Sequence, residues 1–256
     1  MQRFLDIVAL YDPRPAGLDA FRFAHSLSER IVAPFQVMVP ALLEGLPANE
    51  QHNLYEWLRQ RLPAPSRAAF PEDAVVMGHP VVEVFRHQLV VSNTLAAMRR
   101  DVDVLLPQCE REWGERNPEA PALIPFGNRE AGRYAMTYGL PLVRRLGFTR
   151  VVFYHSTWKD ENNPSEQLTD HMDEGAVQVL QDAVETAEQL GFEQECLVEA
   201  APEVSDGIRR AAMRTGSRLV VLARGLTRHG CGYVDKVLNG FPVPTLVMGR
   251  CLREVN

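Results

Sequence analysis

Residues 196–223 read CLVEAAPEVSDGIRRAAMRTGSRLVVLA and decide the fold. The segment begins with a short apolar run, Cys196 to Ala200, which predicts a β-strand. Pro202 then opens a predicted helix, and Leu219 to Ala223 forms a second apolar run. The helix is predicted because apolar residues recur at helical spacing, at Val204, Ile208, Ala211 and Ala212. A strand, a helix and another apolar strand in succession predict parallel strands joined by a crossover helix.

The same alternation extends outward through the second half of the chain. Its runs are continuously apolar and its helices amphipathic, which is typical of a parallel sheet covered by helices on both faces. Gly139 and Pro141 are expected to kink the first of these helices, and Gly191 to cap the second at its C-terminus. The other predicted strands are Ala122 to Phe126, Arg150 to Tyr154 and Thr245 to Met248, with a short helix from Tyr233 to Asn239.

An internal repeat predicts that the first half has the same architecture. At an offset of 115 residues, Ile7–Ala9 match Ala122–Ile124, Val37–Val39 match Val152–Tyr154, and Val104–Leu106 match Leu219–Val221. We therefore expect two domains, residues 1–118 and 119–256. The first has predicted strands near Ile7 to Tyr11, Phe35 to Val39, Ala74 to Met77 and Val102 to Leu106, and a helix from Leu54 to Leu62. Because it ends soon after its fourth predicted strand, it is expected to lack the last helix and strand.

Composition excludes several classes of protein. The 27 basic and 33 acidic residues give a net charge of −6, which argues against a nucleic-acid partner. No apolar run approaches the ~20 residues of a membrane span, and the N-terminus lacks a signal-peptide pattern. The four cysteines form neither a CxxC pair nor a metal-ligand spacing. A cytoplasmic protein without membrane attachment, metal site or disulfide framework is expected.

Several short motifs of the second half resemble the universal stress protein family. They are Ile124-Pro125-Phe126-Gly127-Asn128, Ala201-Pro202, Leu219–Leu222, and the ending Lys236-Val237-Leu238 followed by Pro242–Met248. Asp12 after the first strand and Gly78-His79-Pro80 match more weakly in the first half. The resemblance implies two tandem doubly wound α/β domains of the adenine nucleotide alpha hydrolase type. Many members of that family bind ATP without obvious catalysis.

The resemblance also implies where a nucleotide would bind. In the family, an aspartate follows strand one, and a loop with two glycines and a closing Gly-Ser or Gly-Thr follows strand four. Here the aspartate position of the second copy holds Gly127, and the loop is shortened, with Cys231-Gly232 at its end. An anion-binding turn remains open as a hypothesis, with charge from Arg224 and with glycines at Gly225, Gly230 and Gly232. The alternative is an ordinary turn entering a short helix.

The first copy shows the opposite loss. Asp12 keeps the aspartate position, but no glycine loop follows Leu106. Asp12 precedes Pro13 and is equally typical of a turn. Because neither copy holds a complete set, we expect ATP to bind weakly or not at all.

Other reactive residues have ordinary alternatives. His155 is expected to end the second strand of its domain near the ligand cleft, but Ser156 lacks the elbow of a catalytic serine. Cys109 and Cys231 suggest a redox sensor or, alternatively, unreactive thiols. His171, Asp173 and Glu174 lie at the start of the longest predicted helix, where the two acidic residues complement the helix dipole, and this explanation is preferred to a metal site.

Two functions remain open at this level. The first is a non-catalytic stress-response module that binds a small ligand, an adenine nucleotide among the candidates, or that signals through protein contacts. The second is an enzyme acting on a nucleotide or phosphate in the same cleft, although no catalytic set is recognisable. We also expect the two domains to form a pseudo-twofold pair within the chain, with Thr245 to Met248 near the junction, and homodimerisation stays open.

Overall fold

In a computed structural model, the chain divides into two compact units, Met1–Glu115 and Arg116–Asn256. The structure describes residues 6–10, 15–38, 75–77, 88–93, 103–108, 119–127, 133–157, 174–201, 203–223 and 232–249. Among these residues, no helix is long and apolar enough to cross a membrane. The predicted helix at Leu54 to Leu62 lies outside the described residues.

Unit 1 is built on parallel strands. Its elements are β1 (Asp6–Leu10), α1 (Pro15–Ile31), β2 (Phe35–Met38), β3 (Val75–Met77), β4 (Gln88–Val91) and β5 (Val104–Leu106). The strand order is β3-β2-β1-β4-β5. Ile7, Val8 and Ala9 of the central strand are completely buried, because both neighbouring strands and α1 cover them.

The prediction that the first domain lacks its fifth strand is wrong. Gln88–Val91 is the strand beside β1, and Val104–Leu106 pairs with it as the next strand outward. The described part of unit 1 therefore contains five parallel strands. The error arose because a gap-free offset aligned Val104–Leu106 with the fourth strand of the second domain, although this run occupies the position of the fifth. A missing fifth strand therefore no longer supports the expected pairing of the two domains, and that pairing stays a prediction.

Unit 2 repeats the same strand order. Its elements are β6 (Ala122–Pro125), α2, β7 (Arg150–Thr157), α3 (Glu174–Gln189), β8 (Glu193–Ala200), α4 (Val204–Thr215), β9 (Leu219–Ala223), α5 (Gly232–Leu238) and β10 (Thr245–Met248). Helix α2 consists of a π-helical turn, Ala135–Gly139, that continues as an α-helix, Leu140–Arg145. The strands are parallel in the order β10-β9-β6-β7-β8, and the predicted last strand is confirmed.

Helix α2 has no break at its glycine and proline. Gly139 and Leu140 both keep helical dihedral angles, so the expected kink is replaced by the π-helical turn. A wider turn accommodates the missing N–H and the ring of Pro141 without ending the helix. At Gly139 a Cβ atom would lie 3.3 Å from a methyl group of Val221, so the glycine lets α2 approach β9 closely.

Each of the five described helices is followed, within two residues, by a residue with a positive φ angle. Gly191 and Gly216 have φ angles of 71° and 63°, which confirms the predicted cap at Gly191. Val32 occupies the same position after α1 with a φ of 53°. The N–H of Ala33 donates to the carbonyl of Ser28 at 2.9 Å, as the N–H of Ser217 does to the carbonyl of Ala212. A β-branched residue is strained in this conformation, whereas glycine is not.

Replacing Val32 by glycine is therefore expected to raise the free energy of unfolding by about 1 kcal/mol. Val32 is 89% exposed, so the substitution removes strain and almost no packing. The reverse change, Gly216→Val, is expected to lower the free energy of unfolding by about 1–2 kcal/mol, because open space surrounds that position and only the backbone opposes a side chain. Urea denaturation measures both. Equal stability of Val32→Gly and the parent would contradict the strained cap.

Candidate functional site

The site is positioned by the central strand of unit 2. Strand β6 pairs with β7 on one side and with β9 on the other. Crossovers to strands on opposite sides leave neighbouring strands in opposite directions. In doubly wound sheets this opens a crevice beyond the carboxyl ends of the two strands, which are β6 and β9 here. Ligands of doubly wound sheets bind at such a switch point. Phe126 and Gly127 follow β6 at this edge, and Ala223 ends β9.

Hydrogen bonds to β7 fix the path of the chain beyond β6. The N–H of Phe126 donates to the carbonyl of Tyr154 at 2.9 Å. Nδ1 of His155 lies 3.1 Å from the carbonyl oxygen of Phe126, and the two rings lie 5.2 Å apart. Because a carbonyl only accepts, Nδ1 carries the proton, which leaves Nε2 as the acceptor of the neutral ring. His155 thus holds the residue that immediately precedes Gly127.

Gly127 leaves open space at the crevice. No described atom lies within 4 Å of the position that a Cβ atom would occupy there. Its φ angle is not among the positive ones, so the backbone itself does not require glycine. Among the described residues, nothing occupies the space beside Gly127, and a larger residue would project into it.

The remaining predicted site residues divide into two groups. Gly232 is the first residue of α5, a helix of seven residues that follows β9. Asp12, Arg224, Gly225 and Gly230 lie outside the described residues, as do Cys109, Cys231 and His171. The structure therefore places Gly127 at the switch point, and the contribution of the others stays a prediction.

His155 does not end its strand, contrary to expectation. Strand β7 continues to Thr157 because His155–Thr157 pair with Val198–Ala200 at the carboxyl end of β8. His155 and Ser156 are consecutive residues of this strand, so their side chains point to opposite faces of the sheet. The imidazole of His155 therefore cannot take the proton of the Ser156 hydroxyl.

The opposite face of β7 carries a buried phenol. Tyr154 is 1% exposed, and burial raises the pKa of its hydroxyl. The hydroxyls of Tyr154 and Ser156 are neighbours but do not meet in hydrogen-bonding geometry, and neither has a partner among the described residues. The Tyr154 hydroxyl packs against Gly207 of α4, where a Cβ atom would lie 2.1 Å from it. This contact is structural, since it lies inside the packed layer between sheet and helix.

Sequence reasoning missed the corresponding edge of unit 1. With Gln88–Val91 as the strand beside β1, the residues that follow this strand are Ser92 and Asn93. Ser92 is fully buried, and its N–H donates to the carbonyl of Leu105 at 3.1 Å. The apolar run Leu89-Val90-Val91 followed by two polar residues is the signal that could have located this edge.

Metal and thiol chemistry gain no support in the described part of the chain. No group of three or more His, Cys, Asp or Glu residues there could hold a metal ion. Burial, with a further contribution from the charge of Glu195, raises the pKa of the Cys196 thiol. A raised pKa keeps the thiol protonated and lowers its reactivity.

Solved structures share the fold of this chain. A universal stress protein from Archaeoglobus fulgidus DSM 4304 aligns with a TM-score of 0.59 over 97% of this chain and 97% of that chain, at 15% identity. This is the universal stress protein fold. A Pseudomonas aeruginosa UCBPP-PA14 structure named for the same proteins aligns with a TM-score of 0.51 at 12% identity, over 95% of this chain and 92% of that chain. The predicted fold class and the resemblance to universal stress proteins are confirmed at the level of the fold.

A universal stress protein from Archaeoglobus fulgidus in complex with dAMP aligns over 51% of this chain and 98% of that chain, at 17% identity. The TM-score of this alignment is 0.38. No family model matches the chain, and no curated protein matches it by sequence.

Proposed function

We propose that this chain is a universal stress protein-like module whose unit 2 binds a small ligand beyond the carboxyl ends of β6 and β9. An adenine nucleotide, bound weakly and without turnover, is the leading ligand. The observation that carries the proposal is the exit of β6, where the switch-point strand ends beside open space at Gly127. Rigid backbone around an open crevice is what a ligand site on this fold requires.

The geometry around His155 supports binding rather than catalysis. Its Nδ1 is engaged by a backbone carbonyl, and the adjacent serine points away from it. Proton transfer in a transition state needs a base positioned against a nucleophile or a bound water, with a third group orienting it. Within the described residues, His155 has the orienting contact and no nucleophile. We assign it the role of holding the exit of β6 in place.

Weak binding of ATP follows from the altered loop after β9. The glycines that would approach the phosphates are displaced in the sequence, so we expect fewer backbone N–H groups to be available to a triphosphate. We expect ATP to bind with a Kd of about 100 μM or weaker, a standard binding free energy of about −5.5 kcal/mol or less favourable. Isothermal titration with ATP, AMP and adenosine measures this affinity and shows whether phosphates add to it.

Gly127→Leu is expected to abolish the binding of whichever of these ligands the parent binds, because the side chain occupies the open space at the crevice. Its unfolding free energy should stay near that of the parent, since no described neighbour is displaced. Gln189→Leu is the matched control, because it adds an exposed leucine at the C-terminus of α3. Undiminished binding by a folded Gly127→Leu variant would place the ligand elsewhere and overturn the proposed site.

The alternative, an enzyme acting on a nucleotide or phosphate, predicts a different result. Steady release of phosphate from ATP, reduced by His155→Ala or Asp12→Ala at unchanged stability, would favour the enzyme. Binding without turnover favours the module.

A further inference from the structure

Helix α4 carries three arginines, Arg209, Arg210 and Arg214, and their surroundings differ. Arg214 is paired with Glu199. Arg209 donates to the carbonyl of Asn239 at 3.0 Å, and its guanidinium lies 5.9 Å from the centre of the Phe241 ring. Arg210 is exposed and makes no hydrogen bond or ion pair with any other residue that the structure describes. Two cations of this helix, Arg209 and Arg214, are therefore held in position, and Arg210 is free within the described part of the chain.

An apolar depression lies between Arg209 and Arg210 of α4 and the turn that precedes β10. It has a volume of about 430 Å³ and is lined by Arg209, Arg210, Met213, Phe241 and Pro242, which we call the α4 groove. Phe241 forms a buried part of its wall, whereas Met213 is 62% exposed. A helix normally turns such a side chain toward the core, so an exposed methionine next to a buried aromatic ring marks a surface suited to contact.

The α4 groove is separate from the ligand crevice of unit 2. It lies at the second half of α4 and three residues before the first residue of β10, at the amino-terminal edge of the parallel sheet. The crevice lies at the carboxyl edge. The two sites can therefore be disabled independently.

The charge and shape of the α4 groove indicate which kind of partner it can bind. The whole chain has a net charge of −6, so the pair of arginines is a local basic feature on an acidic protein. Asp206, one turn earlier on α4, forms no ion pair with either arginine in the described structure. The depression is wide open to solvent, so a small molecule would leave much of its surface uncovered there. A protein segment brings additional surface of its own and suits an open groove better.

We propose that the α4 groove binds an acidic segment of a partner protein. A bulky apolar side chain of that segment packs on Met213, Phe241 and Pro242, and a neighbouring carboxylate pairs with Arg210. Arg209 is already fixed by Asn239 and Phe241, so little side-chain freedom is lost when the partner binds. Arginine and methionine are both enriched in protein interfaces.

Selection of a random twelve-residue peptide library on the full chain tests the proposal. Enriched peptides are expected to carry Asp or Glu next to Phe, Leu or Trp, and to bind more weakly at higher salt because the contact is partly ionic. Arg210→Glu and Met213→Glu should each weaken the selected peptides by about tenfold or more. Arg145→Glu, which reverses an exposed arginine on α2, should leave their affinity unchanged.

Three results would overturn the proposal. They are a selection that enriches no acidic peptides, peptides that bind Arg210→Glu as well as the parent, and a dimer in sedimentation that Arg210→Glu converts to monomer. The last would identify a second copy of the chain as the occupant. Gly127→Leu should leave peptide binding intact, so failure of the groove and failure of the ligand crevice give different patterns.

Discussion

Replacing Gly207 by alanine is expected to lower the free energy of unfolding by about 3 kcal/mol. The new Cβ atom would lie 2.1 Å from the Tyr154 hydroxyl and 2.9 Å from the Cβ atom of Ala201. Both neighbours are buried, and neither is the free end of a flexible chain. The helix must therefore move away from the sheet, and the ~1 kcal/mol by which alanine favours a helix over glycine is too small to compensate. Urea denaturation of the full chain measures the loss.

A second substitution identifies the clash as the cause. Tyr154→Phe removes a buried hydroxyl that has no partner in the described structure, so by itself it should be neutral or slightly stabilising. In the Tyr154→Phe background, Gly207→Ala should cost less than in the parent, because the closest contact is gone. Additive effects of the two substitutions would contradict this explanation. Gly127→Ala, with open space around it, is the glycine control and should change stability little.

The fold of unit 2 could be predicted in detail because its strands are long apolar runs between amphipathic helices. Residues 219–223 and 245–248 form strands as expected, since each is buried along its whole length. The boundaries of β7 and β8 were predicted too short. Both strands extend over polar residues that are exposed or only partly buried, so periodicity does not distinguish their ends from loops.

Unit 1 was harder to predict because no local pattern marks β4 as the strand beside β1. Gln88–Val91 contributes four residues, and its role depends on pairing with β1 rather than on any local pattern. The later run Val104–Leu106 is equally apolar. When the two halves are aligned at a constant offset, this run, and not Gln88–Val91, matches the fourth strand of the second domain. The β-strand propensity of a segment does not show which distant strand it pairs with.

The place of the candidate site in the fold could be predicted from the sequence, but the side-chain contacts that shape it could not. Gly127 could be singled out because the end of a central strand is where doubly wound sheets bind ligands. The hydrogen bond from His155 to Phe126 joins residues 29 positions apart, and no motif or spacing in the sequence predicts it. The α4 groove was missed for the same reason, because Met213 and Pro242 come together only when α4 packs beside the turn before β10.

Truncation after Asn239 is expected to abolish cooperative unfolding of unit 2. It removes β10 together with Phe241, and in β10 every residue is buried, with Leu246 and Val247 completely inaccessible. At about 1.5–3 kcal/mol for each large apolar side chain, the loss is about 10 kcal/mol, which is comparable with the whole stability of a typical domain. It also leaves one side of β9 without the hydrogen bonds that join Val220–Ala223 to β10. Circular dichroism during urea titration should show a broad, shallow transition.

Truncation after Gly249 is the control, because it removes only residues outside the described structure and should preserve the parent's transition. Hydrogen exchange measured by mass spectrometry then separates the units, with peptides from β1 reporting on unit 1 and peptides from β6 on unit 2. Loss of protection in β6 follows from the missing strand alone. If β1 also loses protection, the junction that the sequence predicts near Thr245 to Met248 gains support. If β1 keeps its protection while β6 loses it, the first unit folds without that strand, and the predicted junction is wrong.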